Sequence, residues 1–318
     1  MPKIVVLDGF TLNPGDLDWT QLQSQGEVHI FDRTPPELLL ERASGAEILI
    51  VNKQVINGDA MAALPNLKLI AVSATGYNNV DTAAAQEKNI AVANVSGYST
   101  PAVVQHVFAL LLGLINQVDA HHQSVQRGDW ASSPDFSYTL SPLLELTSLR
   151  LGIYGFGRIG QAVAKAAMAF GMEVYATHKH PLRDAMHGVT FVELEELFRT
   201  CHIVSLHAPL SASNAEIVNR TLLSTMPKPS YLINTGRGGL VNEADLLSCL
   251  QDGIISGAGL DVLSQEPPPS DHPLLKAPNC LITPHVAWAT QAARKRLLDE
   301  VVLNIEAFLN KEARNRVV

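Results

Sequence analysis

The run Leu149-Arg-Leu-Gly-Ile-Tyr-Gly-Phe-Gly-Arg-Ile-Gly160 restricts this chain more than any other stretch. A short apolar strand pattern breaks directly into Gly155, Gly157 and Gly160, then continues into a helical pattern over Gln161–Phe170. Glycines fall at this spacing by chance; the strand before them and the helix after them give the spacing its meaning. Gly155 suits a tight turn off the strand, and Gly157 lets backbone approach a pyrophosphate. Gly160 lets the helix pack closely on a sheet, so that free N–H groups at its N-terminus face phosphate. Gly155, Phe156, Gly157, Arg158, Ile159 and Gly160 are therefore predicted to bind a dinucleotide.

The rest of the chain supplies a sheet for that motif. Apolar runs at Ile4–Leu7, Val28–Phe31, Ile48–Val51, Leu67–Val72 and Ile90–Val95 alternate with helical patterns, and so do Leu151–Tyr154, Glu173–Ala176, Ile203–Leu206, Tyr231–Asn234, Ile255–Leu260 and Leu281–Thr283. Such alternation predicts an α/β protein with two doubly wound parallel-sheet domains, for which 318 residues suffice. A long helix beginning near Pro101, with Thr100 or Ser99 as its cap, separates the halves. The apolar helical period over Gln291–Leu309 has no strand after it and is expected to return to the first domain. The expected division is 1–100 with 285–318 as a discontinuous domain, and 101–284 as the dinucleotide-binding domain.

Composition excludes several classes. A net charge of −8, with no basic run longer than Arg294-Lys-Arg296, argues against nucleic-acid and anionic-membrane partners; that triplet is expected on the exposed face of a terminal helix. The most apolar segment, Val103–Ile115, is too short to span a membrane and contains Gln105 and His106, so a buried helix is expected. Three isolated cysteines indicate neither a disulfide framework nor a metal site, and a reducing cytoplasm fits them best. The amino terminus reads as a first strand.

Downstream of the glycines, a carboxylate at the end of the second strand would favour NAD by accepting bonds from the adenosine ribose. The sequence offers Ala176-Thr-His-Lys-His180 instead, so Thr177, His178 and Lys179 are expected to accommodate a 2′-phosphate, with NADP ahead of NAD. Three further sites place a polar residue just past an apolar strand, where open α/β sheets put their ligand crevice: Asn234-Thr-Gly-Arg237, Asp261 leading to Glu266, and Thr283-Pro-His285. An Arg, a carboxylate and a His suit hydride transfer to a carbonyl: Arg orients a carboxylate through paired bonds, His delivers the proton, and Glu orients the His. With eleven histidines in the chain, position alone does not select His285.

These motifs, together with Ile233-Asn-Thr-Gly-Arg-Gly-Gly239, Gly259-Leu-Asp-Val262 and Glu266-Pro267, resemble the ordered signatures of the D-isomer-specific 2-hydroxyacid dehydrogenases. Ala74-Thr-Gly-Tyr-Asn-Asn-Val-Asp81 and Gly97-Tyr-Ser-Thr-Pro101 are similar to the glycerate dehydrogenase or hydroxypyruvate reductase branch. The resemblance spans the chain and implies a Rossmann cofactor domain beside a flavodoxin-like substrate domain. It implies that Arg237 binds the substrate's carboxylate and carbonyl, that Glu266 pairs with His285, and that His285 donates and accepts the proton. It places Asp261 on the nicotinamide carboxamide and Thr100, His207, Pro209 and Thr235 near the cofactor. Backbone around Ala74, Thr75 and Gly76 would receive the substrate carboxylate, with Lys53 nearby. A homodimer interface built from the helix at Pro101 and the loop Pro134–Pro142 is also implied.

The function expected from sequence is NAD(P)-dependent interconversion of hydroxypyruvate or glyoxylate with D-glycerate or glycolate, in a cleft whose closure excludes water. The alternatives are a reductase of bulkier 2-keto acids, a phosphite-type dehydrogenase, and a non-catalytic dinucleotide-sensing protein like the corepressors related to these enzymes. Against the last stands the lack of sequence beyond two domains. Formate oxidation is not expected, because Glu266 stands where formate dehydrogenases of the superfamily look to carry Gln.

Overall fold

Runs such as Ile48–Val51 and Leu69–Val72 contain no polar residue and are buried at every position, as strands of a parallel sheet covered on both faces must be. The computed structural model describes residues 1–318, which divide into two compact units, Met1–Ser99 with Trp288–Val318, and Thr100–Ala287. In the first unit β1 (Lys3–Val6), β2 (Glu27–Ile30), β3 (Ile48–Val51), β4 (Leu69–Val72) and β5 (Ala91–Ala93) form an all-parallel sheet in the order β2-β1-β3-β4-β5.

The helix Gln291–Leu309, at the bounds read from sequence, completes this unit by burying Leu297, Leu298, Val301 and Ile305. Its Asn304 amide donates to the Asn94 carbonyl, and the chain beyond it bridges Arg316 to Ala93 and bonds the Val317 N–H to the Val92 carbonyl. Of the basic triplet, Lys295 and Arg296 are exposed as expected, and Arg294 departs from expectation. Arg294 points inward, 7% exposed, with paired bonds of 2.6 and 2.7 Å to Asp16 and further bonds to the carbonyls of Leu12 and Ala289. Arg296 donates to the Tyr98 carbonyl. Only a fork of donors meets a carboxylate and two carbonyls at once, which is why arginine is tolerated there.

In the second unit β6 (Arg150–Tyr154), β7 (Glu173–Thr177), β8 (Val189–Phe191), β9 (Ile203–Leu206), β10 (Tyr231–Asn234), β11 (Gly257–Leu260) and β12 (Cys280–Ile282) form a seven-stranded parallel sheet in the order β12-β11-β10-β9-β6-β7-β8. The strand order reverses between β6 and β9, the switch point at which such sheets bind ligands. Strand β8 escaped the sequence reading, because this three-residue edge strand has no fully buried position. Strand β11 starts two residues later than the apolar run at Ile255; within it a Cβ on Gly259 would lie 2.9 Å from Leu110, so the sheet needs glycine where the helix Thr100–Asn116 crosses it. Phe156, fully buried, meets Phe191 edge-on with centroids 5.2 Å apart; truncating so large a core side chain costs about 3–5 kcal/mol.

The units change over at Ser99–Thr100, one residue before the expected junction after 100, and at Ala287–Trp288, three residues after the expected junction at 284. The reason for the latter is Asp261, whose carboxylate accepts the N–H groups of Val286 and Ala287 and keeps His285 with the second unit. No single helix is long and apolar enough to cross a membrane.

Candidate active site

The glycine motif begins the site. Gly155 takes φ +97°, and a Cβ there would come within 2.4 Å of the Ala208 nitrogen; on Gly160 a Cβ would lie 2.4 Å from the Gly155 carbonyl oxygen. On Gly157 it would meet nothing within 4 Å. Two glycines are thus required by the protein's own packing, while the third faces open space that suits a pyrophosphate. The helix Arg158–Ala169 starts three residues before the expected Gln161, since Gly157 caps it and its carbonyl accepts the Gln161 N–H. No side chain of the Gly157 cap occupies this end, and the positive end of the helix dipole favours an anion there.

At the end of β7 the structure corrects two expected phosphate donors. The Thr177 hydroxyl donates to the Val192 carbonyl, and His178 accepts the Phe156 N–H at Nδ1 while Nε2 donates to Asp184 at 2.7 Å. A carboxylate therefore does stand here, supplied by the following turn rather than the strand end, which is why the strand pattern missed it. Asp184 is hydrogen-bonded by Arg183 and then His178, which hold its pKa down to about 2 against the cost of burial. Lys179 and Arg183 remain exposed beside it.

His207 follows β9, its N–H donating to the Tyr154 carbonyl and its Nε2 2.8 Å from the Ser205 hydroxyl. Burial holds its pKa down to about 4, so the ring is neutral at physiological pH. The Pro209 carbonyl accepts from Asn214. Thr235, after β10, has a buried hydroxyl with no partner within the chain, an orphan that a bound ligand would satisfy. Open space at Gly157, an uncapped helix end and this hydroxyl together fit a dinucleotide.

The chemical groups follow β10, β11 and β12. Buried Asn234 staples the turn after β10, accepting the Gly236 N–H and donating to the Arg237 carbonyl. The Arg237 guanidinium is exposed, with one bond to the Gly236 carbonyl. A Cβ on Gly238 would lie 1.9 Å from the Leu263 backbone, so glycine lets this turn press against the loop leading to Glu266. Glu266 accepts the Leu263 N–H with Oε1, and its Oε2 lies 2.6 Å from His285 Nδ1. The pairing expected of Glu266 and His285 is thus present. It directs the Nδ1 proton to Glu266 and leaves Nε2 for a substrate.

Asp261, 1% exposed, lies behind this pair. Burial would raise its pKa, but donors from His106, Thr283 and the N–H groups of Ala287 and Val286 outweigh that and keep it ionised. The carboxylate expected to meet a nicotinamide carboxamide thus already binds its own chain through both oxygens. His106, in sequence only a polar interruption of an apolar helix, is the partner the sequence did not reveal; no local pattern marks its position opposite Thr283.

In the first unit Lys53 lines a cavity of about 670 Å³ with Asp8, Phe10, Arg33, Val55 and Asn57. Asp8, absent from the sequence expectations, accepts the N–H groups of Asn52, Lys53 and Gln54 and shapes the end of β3. The Ala74 carbonyl accepts the Val95 N–H and the Thr75 carbonyl accepts from Asn94; neither bond uses an amide N–H of residues 74–76. Thr100 is the first residue of the long helix.

Residues 108–287 match the family model for the NAD-binding domain of D-isomer specific 2-hydroxyacid dehydrogenases. The chain is 44% identical over 312 residues to a hydroxypyruvate reductase of Blautia hydrogenotrophica, covering 96% of this chain and 97% of the relative. It is 42% identical over 318 residues to a glycerate dehydrogenase of Methylorubrum extorquens, covering 99% and 98%. Among solved structures, the TT0316 protein of Thermus thermophilus superposes with a TM-score of 0.88 at 35% identity, covering 99% of this chain and all of that one.

Proposed function

The chain belongs to the D-isomer specific 2-hydroxyacid dehydrogenases, and on that premise we propose that it interconverts hydroxypyruvate or glyoxylate with D-glycerate or glycolate. As a member it is an oxidoreductase of 2-keto and D-2-hydroxy acids that uses a nicotinamide dinucleotide. The observation that carries the mechanism is the 2.6 Å contact of His285 Nδ1 with Glu266. When bound, the dinucleotide supplies or takes up the hydride. Arg237 binds the substrate carboxylate and polarises the adjacent carbonyl, its paired donors matching that geometry. His285 gives the carbonyl oxygen its proton from Nε2 in reduction and removes it in oxidation, while Glu266 fixes the ring's tautomer and direction. The backbone of Ala74, Thr75 and Gly76 also receives the substrate carboxylate, with Lys53 as a further substrate-binding residue.

For the cofactor we propose NADP ahead of NAD. The support is the exposed pair Lys179 and Arg183, with the Asp184 charge already met by Arg183 and its carboxylate hydrogen-bonded by His178. We also propose a cytoplasmic homodimer. Exposed Val118, Phe136, Leu140 and Leu143 suit a surface that a second copy covers, and three unpaired cysteines suit a reducing compartment.

The test follows reduced-nicotinamide absorbance with hydroxypyruvate, glyoxylate, pyruvate and phenylpyruvate, each with NADH and with NADPH. Turnover fastest with one of the first two supports the reading, and the NADPH to NADH ratio reports on Lys179 and Arg183. Turnover fastest with phenylpyruvate would reassign the substrate to a bulkier acid. Dinucleotide binding without turnover of any acid would favour a sensing role. Light scattering at two protein concentrations reads the dimer.

A further inference from the structure

We propose that His106 is a positioning residue for the reaction, holding through Thr283 and Asp261 the turn that carries His285. The imidazole projects from the helix Thr100–Asn116, largely buried, with Nε2 2.8 Å from Thr283 Oγ1 and 3.4 Å from Asp261 Oδ1. The Thr283 hydroxyl spends its proton on Asp261 Oδ1 at 2.6 Å. At Thr283 the imidazole is therefore the donor, so Nε2 carries the ring proton.

Donors thus run from His106 to Thr283 to Asp261, and Asp261 in turn accepts the N–H groups of Val286 and Ala287 at 2.9 and 2.8 Å. The N–H of His285 itself donates to the carbonyls of Asp261 and Thr283. All of this surrounds a residue whose φ is +55°. A side chain larger than glycine keeps such a backbone only where its surroundings over-determine it. An apolar residue at 106 would leave the Thr283 oxygen without its donor and remove one donor facing the ionised Asp261, loosening the turn on one side. The helix would remain, since its other buried residues are apolar and pack without the imidazole.

This inference rests on His285 being the proton donor and acceptor, so His285→Ala is measured in parallel. The test compares wild type, His106→Leu, His106→Gln and Thr283→Val for kcat, dinucleotide Kd by fluorescence, and hydrogen exchange of a peptide covering 283–287. Leaving one buried hydrogen-bonding group unsatisfied is worth about a factor of ten or more, so His106→Leu is expected to lower kcat about tenfold or more and speed exchange in that peptide, with Kd unchanged. His106→Gln, whose amide nitrogen reaches the place of Nε2, should restore kcat to within about threefold of wild type. Thr283→Val replaces the hydroxyl with a methyl group and should behave like His106→Leu, keeping the test decisive if the latter folds poorly.

Wild-type kcat and exchange in both His106→Leu and Thr283→Val, alongside an inactive His285→Ala, would overturn the role of His106 alone. Equal losses in His106→Gln and His106→Leu would overturn it too. Full turnover in His285→Ala would instead remove the catalytic assignment on which it stands.

Discussion

His285 and Glu266 meet at 2.6 Å on two loops that follow different strands, β12 and β11, and the histidine holds a left-handed backbone to do so. The pair is preorganised by the protein's own contacts. His285→Ala should lower kcat by about 10² to 10⁴-fold, the usual worth of general acid–base catalysis, while dinucleotide affinity stays near wild type. Glu266→Gln should lose less, because the amide oxygen still accepts from Nδ1, although the charge is lost and the amide NH2 then faces the Leu263 N–H. Stopped-flow turnover with parallel binding measurements checks both, and a Glu266→Gln enzyme slower than His285→Ala would contradict this order.

Two neighbouring glycines should respond oppositely to alanine. In Gly160→Ala the added Cβ meets the Gly155 carbonyl oxygen, an overpacking expected to cost about 1–3 kcal/mol. In Gly157→Ala it meets no protein atom, so the melting temperature should hold while dinucleotide Kd rises about tenfold, some 1.4 kcal/mol. Calorimetry of melting and of binding separates these effects; unchanged affinity in Gly157→Ala would move the pyrophosphate elsewhere.

His207 gives stability a pH dependence of known sign. Its pKa is depressed from 6.5 to about 4 in the folded state, so between those values the unfolded chain binds the extra proton. That contribution is therefore present at neutral pH and lost as pH falls from 6.5 towards 4. Thermal midpoints of wild type should drop on acidification through this window, and those of His207→Gln should drop less. Parallel acid profiles for the two proteins would show that another group governs the window.

The thiols should be inert in the native protein. Burial pushes Cys201 and Cys280 to about 12 and raises Cys249, so almost no thiolate exists near neutrality. A chromogenic disulfide reagent at mild alkaline pH should label all three rapidly in denaturant and none rapidly in the folded enzyme; a fast native thiol would contradict the packing around it.

The sequence revealed what depends on local pattern. Ile48–Val51, Ile203–Leu206 and Tyr231–Asn234 are strands at the bounds expected of continuous apolar runs between polar turns. Glu266 and His285 could be named because both follow strand ends and match a family signature. Asp8, Asp184, His106 and the buried face of Arg294 were not legible, for one physical reason: each owes its role to a partner distant in sequence or around a turn, whose position only the folded chain fixes. Propensity also does not account for the glycines of β11, where crossing of the helix, rather than side-chain preference, selects the residue.

Because residues 288–318 close the first unit, that unit cannot finish folding as it leaves the ribosome. Its β5 edge waits for Arg316 and Val317, and Tyr98 and Asn94 wait for Arg296 and Asn304. The dinucleotide unit, made of one uninterrupted stretch, has its whole sequence earlier. Synthesis thus presents a complete cofactor domain attached to an unfinished partner, which closes only once residues 288–318 have been made.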